Sequence, residues 1–360
     1  MIEDSPRQNI ASTRFLELDA LRGLAAIMVV VFHFTINSNS TLLGWEFRFG
    51  VTGVDIFFMI SGFVIFMTIS RVRHWPDFLV SRFARLYPAF WCCMLLTALV
   101  MFYFEPHLLS VSRLLANVTM ASIFFGEEYM DQSYWTLLVE LVFYFWIFIL
   151  LITKNTKNIV AAGLFLTLAI LAFHTFSGHY IKFYELATRK IELLNHFPLF
   201  FSGILFYLIR DGKNVFRNSA LILFSLFAAC YLHYYGGRSQ YHVTPMEHYA
   251  VLAFYHIVFA LAIFGKLAFL NKSALLFFGK ISYCLYLIHQ YVGMRLLAIL
   301  TDTLHLNIYP ALLITIAFVV IIAFLVNKLI EAPANKLIRN AYKKRSVKAQ
   351  NSSSKEVAVQ

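Results

Sequence analysis

Ten times along this chain a run of roughly 20 residues passes with almost no charge, and that recurrence leaves few folds open. Hydrocarbon offers no water to backbone N–H and C=O groups, so a spanning segment must satisfy them as a helix or within a closed barrel. A barrel would read as short alternating segments, and the sequence has none. The runs therefore predict an all-α fold: a polytopic membrane helical bundle of about ten transmembrane helices. They lie near 21–37, 51–69, 87–104, 133–153, 158–176, 196–210, 218–235, 249–270, 275–299 and 309–330. The stretch 113–125 is apolar but too short to span, and is expected to be re-entrant or interfacial. Only 14% of the 360 residues are charged, against ~25% in an ordinary soluble domain.

A net charge of +11 raises the question of nucleic acid. The placement of the charge answers it. With the N-terminus put in the cytoplasm, 23 of the 30 Lys and Arg fall on cytoplasmic connections and 7 outside. That is the bias expected of a bilayer protein, so no nucleic-acid partner is expected and both termini are placed in the cytoplasm. Residues 1–345 read as one membrane domain and 346–360, polar and Ser-rich, as a disordered cytoplasmic tail. No cleavable leader is read at the N-terminus, and no soluble domain at either end. The four cysteines lie inside apolar runs, which argues against a disulfide framework or a zinc site; metal ligands at usable spacing are absent.

Ionisable residues inside the runs are costly and mark function or pairing. Arg22 and His33, in "LDALRGLAAIMVVVFHF", are eleven residues apart. At about 100° per residue they share one stripe, about 16 Å apart along the axis. A snorkelling arginine and a hydrogen-bonded structural histidine are the bland alternative. The connection "RVRHWPDFLVSRFARLYPAFW" gathers Arg71, Arg73, Arg82 and Arg85. Arg82 and Arg85 are side by side if helical and suit a phosphate-bearing cytosolic donor such as a coenzyme A thioester, whereas Arg71 and Arg73 read as topology. Asp55 and Ser61 sit in the second run. Glu140, two turns into the fourth, needs an Arg, a His or water, and is either an acid/base group, a support for an imidazole, or a helix–helix clamp. Ser282, Tyr286 and His289 share a face of the ninth run, read first as interhelical hydrogen bonding. Glu331 before Pro333 reads as a helix exit, and His107, His179, His242 and His248 as solvated surface. No Gly-x-Ser-x-Gly elbow, P-loop or His-Glu-x-x-His is present.

Six motifs then occur in order: "LDALRG" with Arg-x10-His, "GVDIFFMISGFVI", Arg-x-x-Arg in "RFARLYPAFW", "SYWTLLVELVFY", "ISYCLYLIH" and "EAP". In this pattern, from Leu18 to about Leu337, the chain resembles the acyltransferase-3 family of integral membrane O-acyltransferases, and among them the stand-alone, O-antigen O-acetylase-like type. The resemblance implies His33 as general base toward an acceptor hydroxyl, Arg22 as a required partner, Arg82 and Arg85 as the acyl-CoA recognition element, and Glu140 in the fourth-span motif. It implies acyl-CoA, acetyl-CoA first, as a donor co-substrate, with no permanently bound cofactor. The acceptor would be a surface polysaccharide or lipid-linked glycan, and the location a bacterial inner membrane.

Two other classes compete. A transporter or flippase could use Arg22, His33 and Glu140 as a relay, although no internal repeat or broken half-helix is visible. A scaffold without chemistry would not need the motif residues intact.

Overall fold

The computed structural model describes residues 15–70, 72 and 74–357, with side chains through residue 345. Arg71 and Arg73 lie outside the described residues. Among those described there are helices and no strands, and ten helices are long and apolar enough to cross a membrane. The spanning helices are α1 (Leu16–Thr35), α2 (Gly53–Ile69), α3 (Trp75–Phe104), α4 (Trp135–Ile152) and α5 (Ile159–Thr175). The second half comprises α6 (Leu193–Arg210), α7 (Val215–Leu232), α8 (Pro245–Ile263), α9 (Ser273–Ile288) and α10 (Ile308–Val326). Short helices, among them Val111–Val118 and Ser122–Phe125, fill the stretch expected to be re-entrant or interfacial.

Where lipid replaces water, helices gain little from burying apolar faces, and close backbone approach through small residues takes over. Two contacts show this. On α2 and α6, a Cβ on Gly62 would stand 2.0 Å from the Phe200 carbonyl oxygen, and one on Gly203 2.0 Å from that of Met59. On α1 and α9, a Cβ on Gly23 would stand 2.5 Å from the Leu275 oxygen, and one on Gly279 2.0 Å from that of Asp19. Each crossing has glycine on both sides, and the second sets Arg22 directly beside the Ser282 face of α9.

Three sequence expectations need correction. The third span starts at Trp75, well before residue 87, so Arg82 and Arg85 lie on α3 itself and not on a connection. Two arginines depress the apolar signal there, while Pro76 in the first turn favours the helix start. Glu331 is not at a helix exit. The helix passes through a π turn at Asn327–Glu331 and continues as Ala332–Val357. Pro333 removes one ladder hydrogen bond, and a wide turn is a common way for a helix to pass such a gap. The backbone of 346–357, within the 346–360 tail expected to be disordered, is helical although Asn351 and Ser352 to Ser354 are weak helix formers. The rest of that tail, 358–360, lies outside the described residues.

α9 also widens, into a π turn at His289–Gly293. Gly293 faces Phe34 of α1, whose ring would be 2.5 Å from an added Cβ. Asp131 holds the turn from the side, accepting from the Tyr291 N–H at 2.8 Å and from the Ser133 N–H at 2.8 Å. The segment entering α4 is thereby tied to the turn that carries His289.

Candidate active site

Three cavities adjoin along α1, and residues they share join them. At the Arg22 end is a mouth of about 590 Å³ with six cations on its wall: Arg22, Arg85, Lys280, Lys336, Arg339 and Lys343. Asp19 and Glu331 stand among them. Glu331 is fixed by donors from two helices: Cys284 Sγ at 3.1 Å and Asn327 Nδ2 at 2.8 Å.

Arg22, Arg85, Ser282 and Tyr283 also line the next cavity, a waist of about 90 Å³. Its polar centre is Glu140. The carboxylate accepts from Ser61 Oγ at 2.6 Å and from the Tyr144 hydroxyl, and Arg22 and Arg85 act on it electrostatically. Glu140 therefore serves the Arg22 end and makes no contact with His33.

Tyr286 and Val54 line both the waist and a third cavity, of about 310 Å³, at the other end of α1. Tyr286 is held on the wall common to both: its hydroxyl accepts from Thr136 Oγ1 at 2.9 Å and its carbonyl from Ser133 Oγ at 3.3 Å. His33 lines this third chamber with Trp135, Arg238, His242 and Gln290. The His33 and His289 rings are 5.1 Å apart between centroids. His289 Nδ1 stands 2.7 Å from the Tyr286 carbonyl oxygen. A carbonyl only accepts, so Nδ1 carries the proton and a neutral ring keeps its lone pair on Nε2, which is buried without a partner among the described residues. The π turn thus fixes one imidazole in a known tautomer beside that of His33, whose ring makes no hydrogen bond among the described residues.

Of the residues singled out by sequence, Arg22, Arg85 and Glu140 meet in the waist, and His33 stands beyond Tyr286. Arg82 does not join them. It lies over the rings of Phe78 and Tyr144, 6.0 and 5.8 Å from their centroids, and lines a groove with Arg339, Tyr342 and Lys343, of which Arg339 and Lys343 also line the mouth. The Arg-x-x-Arg pair is thus split between two cavities, with Tyr144 between Arg82 and Glu140.

Two histidines taken for solvated surface are not. His242 lines the His33 chamber, and burial lowers its imidazole below the usual value against the pull of Glu46. His248 is 5% exposed. Its Nε2 is 3.0 Å from Asp55 Oδ2 and its Nδ1 2.8 Å from His233 Nδ1. A capping box from Thr244 and Glu247 starts α8 just before it, which puts His248 one turn inside the bundle rather than on a loop. His107 and His179 are exposed, as expected. Arg238 and Trp135 escaped notice as a pair because 103 positions of chain separate them; the only local signal was the Gly236–Gly237 pair before a lone arginine.

Residues 15–327 match the family model described as an acyltransferase domain, Acyl_transf_3. The chain belongs to the acyltransferase-3 family. Members with similar sequences include the peptidoglycan O-acetyltransferase OatA of Listeria monocytogenes, 30% identical over 39% of this chain and 25% of that protein. Another is the exopolysaccharide production protein ExoZ of Rhizobium meliloti, 32% identical over 35% of this chain and 43% of that protein. A third is the putative membrane-bound transacylase BcsY of Komagataeibacter xylinus, 28% identical over 48% of this chain and 47% of that protein. The matches span less than half the length of each of these relatives. No solved structure matches. Membership of that family does not favour the transporter reading.

Proposed function

We propose that this chain is a multi-pass O-acyltransferase of a bacterial inner membrane, moving an acyl group, acetyl first, from cytosolic acyl-CoA to a hydroxyl of a cell-surface or lipid-linked glycan such as an O-antigen. The observation that carries the proposal is the row of three adjoining cavities, cationic at one end and bearing His33 at the other. Coenzyme A is a polyanion on a long, thin, neutral arm. Its phosphates suit the mouth, where Arg85, Lys336 and Arg339 supply charge-assisted donors. Its arm suits the waist.

The mouth then faces the cytoplasm and the His33 chamber the other side. About three helical turns, or about 16 Å, separate Arg22 from His33, so the arm delivers the thioester about halfway across the ~30 Å hydrocarbon core while the nucleotide stays behind. In the chamber His33 takes the proton of the acceptor hydroxyl. The oxygen attacks the thioester carbonyl, the C–S bond breaks, and the coenzyme A thiolate leaves and is protonated. Arg22 and Arg85 hold the donor, and Glu140 offsets part of the charge of those two guanidinia. Arg82, on the groove behind Tyr144, steadies that wall and contacts donor less directly than Arg85. The names of OatA and ExoZ, which speak of peptidoglycan O-acetylation and of exopolysaccharide, support a glycan acceptor.

The test is transfer of label from acetyl-labelled acetyl-CoA into a glycan fraction by membranes holding wild type or His33→Ala. Label that depends on His33 is expected. Equal labelling by both proteins overturns the role of His33, and no label with any acyl-CoA of a panel overturns the donor.

A further inference from the structure

The chamber around His33 contains a feature that acyl transfer to a plain hydroxyl does not use. Arg238 presents its guanidinium there, stacked on Trp135 with Cζ 5.0 Å from the ring centroid. Three other arginines at this end of the bundle are engaged: Arg48 with Glu247, Arg295 with Glu105, and Arg113 with the Leu108 and Tyr129 carbonyls. Arg238 makes no side-chain hydrogen bond and no ion pair within 4.0 Å among the described residues. Its five donors are left for something else.

The site holds that guanidinium deliberately in place. Gly237, at φ +93°, bends the chain into a conformation that L side chains rarely adopt, and Gly236 packs so closely on Asn195 that a Cβ would be 2.3 Å from its Nδ2. The loop is thereby pressed onto the start of α6. Trp135 is 4% exposed and braced from behind by His196, at 5.3 Å between centroids. It is a rigid platform for Arg238. No carboxylate among the described residues lines the chamber. Two carboxylates act from outside it: Glu46 on His242, and Glu192 on Arg238. Burial pushes Glu192 up to about 7, so near neutral pH it only partly offsets Arg238.

We propose that Arg238 makes the His33 chamber a subsite for an anionic sugar, its carboxylate or phosphate bound by the guanidinium while a hydroxyl of the same residue faces His33. Two or more of the five N–H groups would engage the anion, the geometry in which arginine is most selective. The inference rests on the chamber being the acceptor end of the proposed reaction.

Binding is measured separately from transfer, by isothermal titration of the full chain in nanodiscs. The probes are methyl β-glucuronide, glucose 1-phosphate and, as neutral control, methyl β-glucoside. The expected result is that at least one anionic sugar binds about tenfold tighter than the glucoside, as one charge-assisted pair provides. The preference should vanish in Arg238→Gln and persist in reduced form in Arg238→Lys. Preference for the glucuronide alone marks a uronic acid, and for the phosphate alone a phosphorylated sugar. Equal binding of neutral and anionic sugars by wild type, or a preference unchanged in Arg238→Gln, overturns the inference, and the wild-type comparison decides even if the glutamine variant fails to fold. Anion preference without label transfer would sink the acyl-transfer reading and leave the subsite standing; transfer without preference would do the reverse.

Discussion

Gly279 of α9 lies against the carbonyl of Asp19 of α1, with no room between them for a single methyl group. The contact is backbone to backbone, and it fixes how Arg22 meets Ser282 and Tyr283 at the junction of mouth and waist. Gly279→Ala must push the helices apart, because the obstructing atom belongs to the main chain. The expected cost is about 1–3 kcal/mol, as for overpacking elsewhere. Thermal unfolding in detergent should register it, together with a raised KM for acyl-CoA. A variant as stable as wild type and with unchanged KM would show that the crossing does not set the mouth.

His289 gives a second prediction. His289→Gln keeps a polar group of similar reach but loses the imidazole packed 5.1 Å from that of His33. Because it stands at the far end from the cationic mouth, the loss should fall on kcat, by about 10–100-fold, at the low end of what one acid–base group supplies. KM for acyl-CoA should not move. A pure KM effect in steady-state kinetics would assign His289 to packing instead.

Glu192 gives a prediction in pH. Its carboxyl is raised by burial from an ordinary 4.5 to about 7, with Arg238 opposing. Between those values the folded protein holds a proton that the unfolded chain has released, so stability falls as pH rises through that window. Glu192→Gln should flatten the fall in thermal stability between pH 5 and 8, by an amount on the order of 1 kcal/mol. Arg238→Gln should shift the fall to higher pH, because a cation that favoured the carboxylate is gone. A wild-type melting profile that rises across this range would contradict the burial of Glu192.

Much of the fold could be read in advance because its signals are local. A 20-residue apolar run is a statement about one segment, and all ten spans are present. The Arg22–His33 stripe follows from helical pitch alone, and both residues line the row of cavities. What escaped was whatever depends on two distant segments meeting. Glu140 finds Ser61 from α2, His248 finds Asp55, and Arg238 finds Trp135. No periodicity encodes such pairings. Arg82 and Arg85 illustrate the limit from the other side. Their spacing makes them neighbours on a helix, yet Arg85 lines the mouth and the waist while Arg82 lines a groove that shares only Arg339 and Lys343 with the mouth.

The narrow middle cavity has an electrical consequence. A polar passage across an energised membrane is a hazard, since a continuous thread of water would conduct protons. Here the constriction carries two guanidinia and a single carboxylate already occupied by hydroxyl donors. The surplus positive field repels hydronium and metal cations alike, much as arginines do in pores that pass water without protons. A slender uncharged chain meets no such barrier. The bundle can therefore keep a lane open for a small neutral group while remaining an insulator.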